Sequence, residues 1–301
     1  ELEAELNADP PAPYDGFAHP INLNPGIVAG GDWTSAPEWL CDVHYVEEAA
    51  RGLDCVEDLI VPGSFRFDLV AGDAWLLLTT QSELLAESAD AADLGRRAMR
   101  RERDRRRRLG DRLHRSADQF LVARAAGRSI IAGYPWFTDW GRDTFVALDG
   151  LCFATGRLND ARLILETWAA SLSDGLIPNH FPDHPDAPPA DNSVDASLWF
   201  VVAAGAWLRA AGARAPRRTR TLLVQAILAI LRAYIDGTRH QIHLDHDGLV
   251  AAPAPGVQLT WMDARIGDWI VTPRAGKPVE VQALWYNALL VAAQWDPSGG
   301  A

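Results

Sequence analysis

From about Asp32 to Thr80 apolar and polar positions alternate in short runs, CDVHYVE, SFRFDLV and AWLLLTT, punctuated by Gly, Pro and Asp. A period of two puts apolar side chains on one face of an extended chain, so this stretch predicts β-strands joined by turns. Past Glu83 the period lengthens. Apolar residues recur at helical spacing in LHRSADQFLVAR, DTFVALDGLCFATG and NDARLILETWAASLSDG, then in SVDASLWFVVAAGAWLRAAG, TRTLLVQAILAILRAYIDG and KPVEVQALWYNALLVAAQW. In the third of these, Asn159 is expected to cap the N-terminus and Gly175 to stop the helix. Between the last two, QIHLDHDGLVAA carries Asp247-Gly248, a hairpin turn signal.

The predicted helices come in neighbouring pairs joined alternately by tight turns and by long loops rich in Trp, Pro, Asn and Asp. Such spacing suits a layered ring of helix hairpins. Long loops without regular structure are uncommon in compact domains and are usually functional, so residues 130–142, 175–192 and 253–277 are where chemistry is expected. No fixed-period sequence repeat is visible.

Composition narrows the picture. A chain of 301 residues with 48% hydrophobic content can bury a sizeable core, as one large domain or a large and a small one. Its net charge of -12, from 40 acids against 28 bases, argues against nucleic acid and against anionic membrane as partners. The exception is Arg96 to Arg115, RRAMRRERDRRRRLGDRLHR, which reads as a solvated, ion-paired helix and lacks the aromatics and second basic face of a nucleic-acid reader. Cys41, Cys55 and Cys152 are far apart and form no CxxC pair, so neither a disulfide framework nor a zinc ribbon is indicated, and a cytoplasmic location fits. The opening residues ELEAELNADPPAP lack the segments of a signal peptide, and no apolar run of bilayer-spanning length is expected. His180, His184, His240, His243 and His246 lie near acids without metal-ligand spacing, Gly30 and Gly31 make no phosphate loop, and no Gly-x-Ser-x-Gly elbow occurs. No metal and no cofactor are therefore expected.

The three loops carry the chemistry. YPWFTDWGRDTF, residues 134–145, sets five aromatic side chains beside two aspartates and an arginine. Those rings and charges fit a pocket wall that stacks on a ligand and binds its hydroxyls; they also fit core rings beside a local Asp–Arg salt bridge. The second loop feeds Asp195 into the start of a helix, SVDASLWF. With Asn192 as N-cap, Asp195 three residues on resembles a capping box; alternatively its carboxyl faces an apolar pocket that keeps it protonated as a general acid. The third loop interleaves Trp261, Trp269 and Trp285 with Asp263, Asp268, Lys277 and Glu280. Twelve tryptophans flanked by carboxylates and amides suit sugar rings, and they also suit the core of a helical domain.

AGYPWFTDWGRDTFVAL, DGLIPNHFPD, NSVDASLWF and WMDARIGDWIVTPRAGKPVEVQALWYNAL, in that order, closely resemble the glycogen debranching enzyme family in its amylo-alpha-1,6-glucosidase domain. RGLDCVEDLIVPGSFRFDLVAGDAWLLLTT resembles the end of the domain that precedes it, so the likeness runs from about Pro37 to Ala293. A looser likeness to neutral invertases lies in VDASLWF and PVEVQALWY. The resemblance implies a mainly α protein: about half of an (α/α)6 toroid in residues 111–301, a basic linker helix in 86–110, and the end of a β-sandwich domain in 1–85. It implies an enzyme that removes α-1,6-linked glucose from branch points of glycogen or a branched α-glucan, with inversion. Asp195 corresponds to the general acid. Arg142 and Asp143 match the pair that holds the innermost glucose, with Trp136 and Trp140 as stacking walls, and Trp261, Asp263, Lys277 and Glu280 fall in motifs lining the same cavity. An inverting glycosidase needs a second carboxylate to activate water. In the family that base lies on a later motif, so it is expected to be absent from this chain, whose QWDPSGGA ending departs from the family pattern. The alternatives are another (α/α)6 inverting glycosidase, neutral invertase-like or trehalase-like, or a non-catalytic glucan-binding fragment.

Overall fold

The computed structural model describes residues 26–29, 31–70, 72–79, 90–124, 127–134, 137–182, 190–253 and 256–295. The chain divides into two compact units, Glu1–Arg108 and Leu109–Ala301. About half of it is helical, with some strands, so the protein is mainly α.

The alternation in the first unit gives antiparallel pairs. Strand β1 (Gly26–Ala29) pairs with β4 (Leu76–Thr79), and β2 (Asp32–His44) pairs with β3 (Val56–Arg66). The register of β2 shifts between Ser35 and Glu38 and again between Leu40 and Val43, as a bulged strand does. A five-residue helix, α1 (Val46–Ala50), takes the end of CDVHYVE that read as strand. The arginine-rich run forms α2 (Ala91–Leu109). Only its start is packed, with Leu94 buried and Gly95 against the Trp75 ring. Beyond it, Arg97 pairs with Asp93, Arg105 and Arg106 with Glu102, and Arg107 with Asp104, the i,i+3 and i,i+4 pairs that suit a solvated, arginine-rich helix.

The second unit is built on α3 (Arg112–Asp118), α4 (Gly141–Leu148), α5 (Leu158–Ala169), α6 (Ala196–Ala211), α7 (Arg217–Asp236) and α8 (Val279–Trp295). LHRSADQFLVAR is helix only in its first half: after α3 the chain turns into β5 (Leu121–Arg124), paired with β6 (Gly127–Ile130). Leu121 is buried there while Ala123, on the same face of the strand, is exposed, so these four residues show no clear alternation against which to weigh a helical period. Helix α4 runs on as a π turn, Asp149–Phe153. Asn159 is not the cap of α5: it lies inside the helix and accepts from Arg162, while Arg157 holds the N-cap position without a side-chain cap. Gly175 does not stop α5 either. The helix ends at Ala169, and Gly175, with φ of 74°, makes a turn where an added Cβ would meet Ala233 at 2.0 Å.

Helix α6 organises the core, packing on α4, α5, α7 and α8. Its apolar residues run around the whole cylinder, which suits a helix enclosed on all sides. Phe145 meets Trp168 and Phe200 edge-on at 5.3 and 5.4 Å, and Trp168 packs on Phe181 at 4.1 Å. The expectation that no stretch is long and apolar enough to span a bilayer is corrected here: residues 196–214 meet that description by length and composition, with 61% of the stretch buried inside the unit. QIHLDHDGLVAA forms the expected hairpin, β7 (His243–Leu244) with β8 (Val250–Ala251), and the third loop holds another, β9 (Arg265–Ile266) with β10 (Trp269–Ile270).

Candidate active site

The loop that leads into α4 is tied to the loop beyond α5. Trp140 and His180 form a β-bridge with their rings 4.6 Å apart, Gly141 N donates to Asn179 O at 2.8 Å, and Phe181 N donates to Asp139 O at 3.2 Å. Residue 141 must be glycine for this approach, because a Cβ there would lie 2.8 Å from Pro178 O. Asp139 is buried and accepts from Arg124 at 3.0 Å, and the Arg124 guanidinium lies 4.1 Å over the Phe181 ring. These contacts fix the start of α4, and with it Arg142 in the first turn.

Arg142 reaches across to Asp195. Its Nε donates to Oδ2 at 2.6 Å and its Nη2 to Oδ1 at 2.8 Å, a fork that matches the carboxylate plane. The local Asp–Arg salt bridge anticipated for WGRDTF is therefore not what forms: Arg142 pairs with a carboxylate on another element, and Asp143 stays exposed.

Asp195 sits at the N-cap position of α6 but makes no capping hydrogen bond. Ser193 takes that role, its Oγ accepting from Ala196 N at 3.2 Å and donating to Asp195 Oδ1 at 2.6 Å. The capping-box arrangement of Asn192 and Asp195 is thereby overturned, since the helix starts at Ala196 and the Asp195 carboxylate points to Arg142 instead. The segment is held from three sides. Val194 N donates to Leu259 O at 2.8 Å, Tyr234 Oη donates to Val194 O at 2.7 Å, and Asp191 is gripped by Arg239 and by His240 at 2.7 Å. Tyr234 itself stacks on Trp285, 6.2 Å between centroids, and burial pushes its phenol well above the usual range.

The third loop adds charge. Burial opposes the positive form of Arg142, but the hydrogen bonds to Asp195 and the charges of Asp195, Asp143 and Asp263 outweigh it and hold the guanidinium above its ordinary value. Asp263 thus acts on Arg142 from the loop that follows Leu259. Glu280, in the first turn of α8, accepts from Arg274 at 2.6 Å through Oε2, while its Oε1 is buried with no hydrogen-bond partner. Arg274 also reaches Met262 Sδ at 3.5 Å.

Lys277 is held by Asp245 at 2.6 Å and Asp247 at 2.8 Å of the β7–β8 hairpin, and these contacts, with His246, hold the Asp245 carboxyl well below the usual range. Trp261 and Trp269 are exposed, Trp140 is half-buried, and Trp168, Trp207 and Trp285 are core. Trp136 lies outside the described residues, as does His184. A cleft of about 590 Å³ runs along α4, with Arg142 and Asp143 as its charged groups and Phe120, Ile130, Ile131, Val146 and Leu151 among its apolar lining. No group of three or more His, Cys, Asp or Glu able to hold a metal occurs among the described residues. Sequence reasoning missed Ser193, Tyr234 and Asp139. Tyr234 did carry a signal, as a hydroxyl in the otherwise apolar half of TRTLLVQAILAILRAYIDG.

Residues 115–299 match the family described as amylo-alpha-1,6-glucosidase, more than half of the chain, and residues 14–76 match the one described as glycogen debranching enzyme N terminal. The chain belongs to the amylo-alpha-1,6-glucosidase family, whose members are glycoside hydrolases. It is similar to the glycogen debranching enzyme of Saccharomyces cerevisiae, with 37% identity over 80 residues, covering 25% of this chain and 5% of the yeast enzyme. The likeness thus spans about a twentieth of that relative's length.

Proposed function

We propose that the second unit carries the acid side of an α-1,6-glucosidase site that removes single glucose residues from branch points of glycogen, with inversion, in the cytoplasm. The single observation that carries this reading is the buried Asp195 carboxylate at the start of the central helix, gripped by Arg142, with Asp143 and Asp263 acting on the same guanidinium. Asp195 would donate its proton to the departing glycosidic oxygen. Arg142, Asp143 and Asp263 would bind the hydroxyls of the terminal glucose, Trp140 would offer its ring face, and the unpaired Oε1 of Glu280 would accept from a further hydroxyl. No base is assigned. Residues 111–301 would form about half of an (α/α)6 toroid, a proposal supported by six α-helices in which chain neighbours α5 to α8 pack on one another. Residues 1–85 would close a β-sandwich, and 86–110 would link the two.

Release of free glucose from a phosphorylase limit dextrin, by this chain and by any longer polypeptide containing it, tests the assignment. Cleavage of sucrose or trehalose and not of the dextrin would move it to a sister glycosidase. A second reading, a glucan-binding module without turnover, is favoured by one observation: the Arg142 fork holds Asp195 in the arrangement of a carboxylate acceptor, not of a proton donor.

A further inference from the structure

Asp195 has two features that conflict with donating a proton. Its carboxylate accepts two bonds from Arg142 and one from Ser193, which leaves both oxygens serving as acceptors. It is also covered: the Asp195 side chain is 3% exposed and the Arg142 side chain 20%, so a ligand meets the guanidinium before it meets the acid. Arg142, in contrast, has somewhere to go. Exposed Asp143 beside it and exposed Asp263 on the third loop both attract it, and it is one of the two charged residues of the α4 cleft.

We propose that the Arg142–Asp195 pair is a resting lock opened by the sugar itself: glucose hydroxyls take over the Arg142 donors, and the freed Asp195 binds one proton from solvent. The proposal rests on the glucan reading given above. The proton goes to Oδ2, which loses its bond from Arg142 Nε, while Oδ1 keeps the bond from Ser193. Arg142 stays charged throughout, so the complex gains one proton overall. In the cleavage step that proton passes to the glycosidic oxygen as its bond to the anomeric carbon breaks. The charged and titratable groups around the pair are Asp143 on α4, Asp263 on the third loop and Tyr234 on α7. The Tyr234 hydroxyl is committed to Val194 O. A lock of this kind keeps the acid from working until a sugar fills the subsite, and it reconciles a carboxylate at rest with an acid during turnover.

The test is titration calorimetry of the full chain with a maltooligosaccharide bearing one α-1,6-linked glucose, at neutral pH in buffers of different ionisation enthalpy. The lock predicts uptake of about one proton per sugar bound, and uptake near zero in Asp195→Asn. Should that variant not fold, the wild-type chain decides alone, because uptake of one proton makes its affinity rise about tenfold for each pH unit of acidification. Clear binding with no proton uptake and a flat pH dependence would overturn the lock and leave the glucan reading standing. Absence of any binding heat from a folded chain would overturn both.

Discussion

Arg142 and Asp195 are 53 residues apart in sequence and meet in a two-point ion pair, 2.6 and 2.8 Å, at the start of the central helix α6. Two loops rich in both rings and charge converge on this pair. Breaking one side leaves the other side's charge buried and unpaired, which costs far more than the pair itself is worth. Arg142→Gln and Asp195→Asn should therefore each lower stability by about 2 kcal/mol, less than the roughly 3–5 kcal/mol of a fully buried pair because Arg142 is partly solvated. The double substitution should cost less than the sum. Urea unfolding of the four proteins checks this, and strict additivity would mean that the pair contributes nothing.

Tyr234→Phe removes the hydroxyl that satisfies Val194 O in a fully buried setting. An orphaned buried carbonyl costs about 1–3 kcal/mol, so the midpoint of urea unfolding should fall accordingly while the slope stays the same. An unchanged midpoint would show that another donor replaces the phenol.

Much of this was legible in the sequence, and what was not has physical causes. Helices α4 to α8 and the Asp247-Gly248 hairpin followed from periodicity and turn chemistry, because their apolar faces are long enough to average out exceptions. The caps were misread: Ser193, not Asn192, caps α6, since Asn, Ser and Asp are all good caps and only the direction of the Asp195 side chain decides between them. The strand at Leu121 is not separable from helix in the sequence, because four residues are too few to distinguish the two periods. One of the two readings of WGRDTF pairs Arg142 with a neighbouring acid; its partner is Asp195, distant in sequence, and single-sequence patterns carry no long-range pairing. The pairing of Lys277 with two hairpin aspartates had no signal in the sequence, because only the fold brings them together.

Cys152 is buried, and burial, followed by the charge of Asp160, pushes its thiol up to about 12. The folded state therefore holds the thiol proton more tightly than the unfolded chain does. Stability from this group is present below the ordinary thiol value of 9.0 and is lost as pH rises from there toward about 12. Cys152→Ser should flatten that alkaline loss. In the native protein a thiol reagent at neutral pH should label exposed Cys41 readily and Cys152 only on unfolding, as mass spectrometry of peptides would show.

Gly141→Ala places a methyl group 2.8 Å from Pro178 O at the point where the two loops are stitched together. The backbone must shift to accept it, at a cost of about 1–3 kcal/mol. The shift also moves Arg142, so sugar affinity should fall along with the melting temperature. Wild-type values for both would mean that the junction between residues 139–141 and 179–181 has slack.

Whether Asp195 acts as the proton donor is tested most directly by comparing Asp195→Asn with wild type on two substrates, in whichever polypeptide containing this chain releases glucose from limit dextrin. The amide keeps the side-chain shape and cannot supply the proton, so turnover on dextrin should fall by about 10² or more, while an α-glucosyl fluoride, whose leaving group needs little protonation, recovers much of the loss. Equal loss on both substrates by a variant that still folds and still binds glucan would contradict the assignment of Asp195 as the acid.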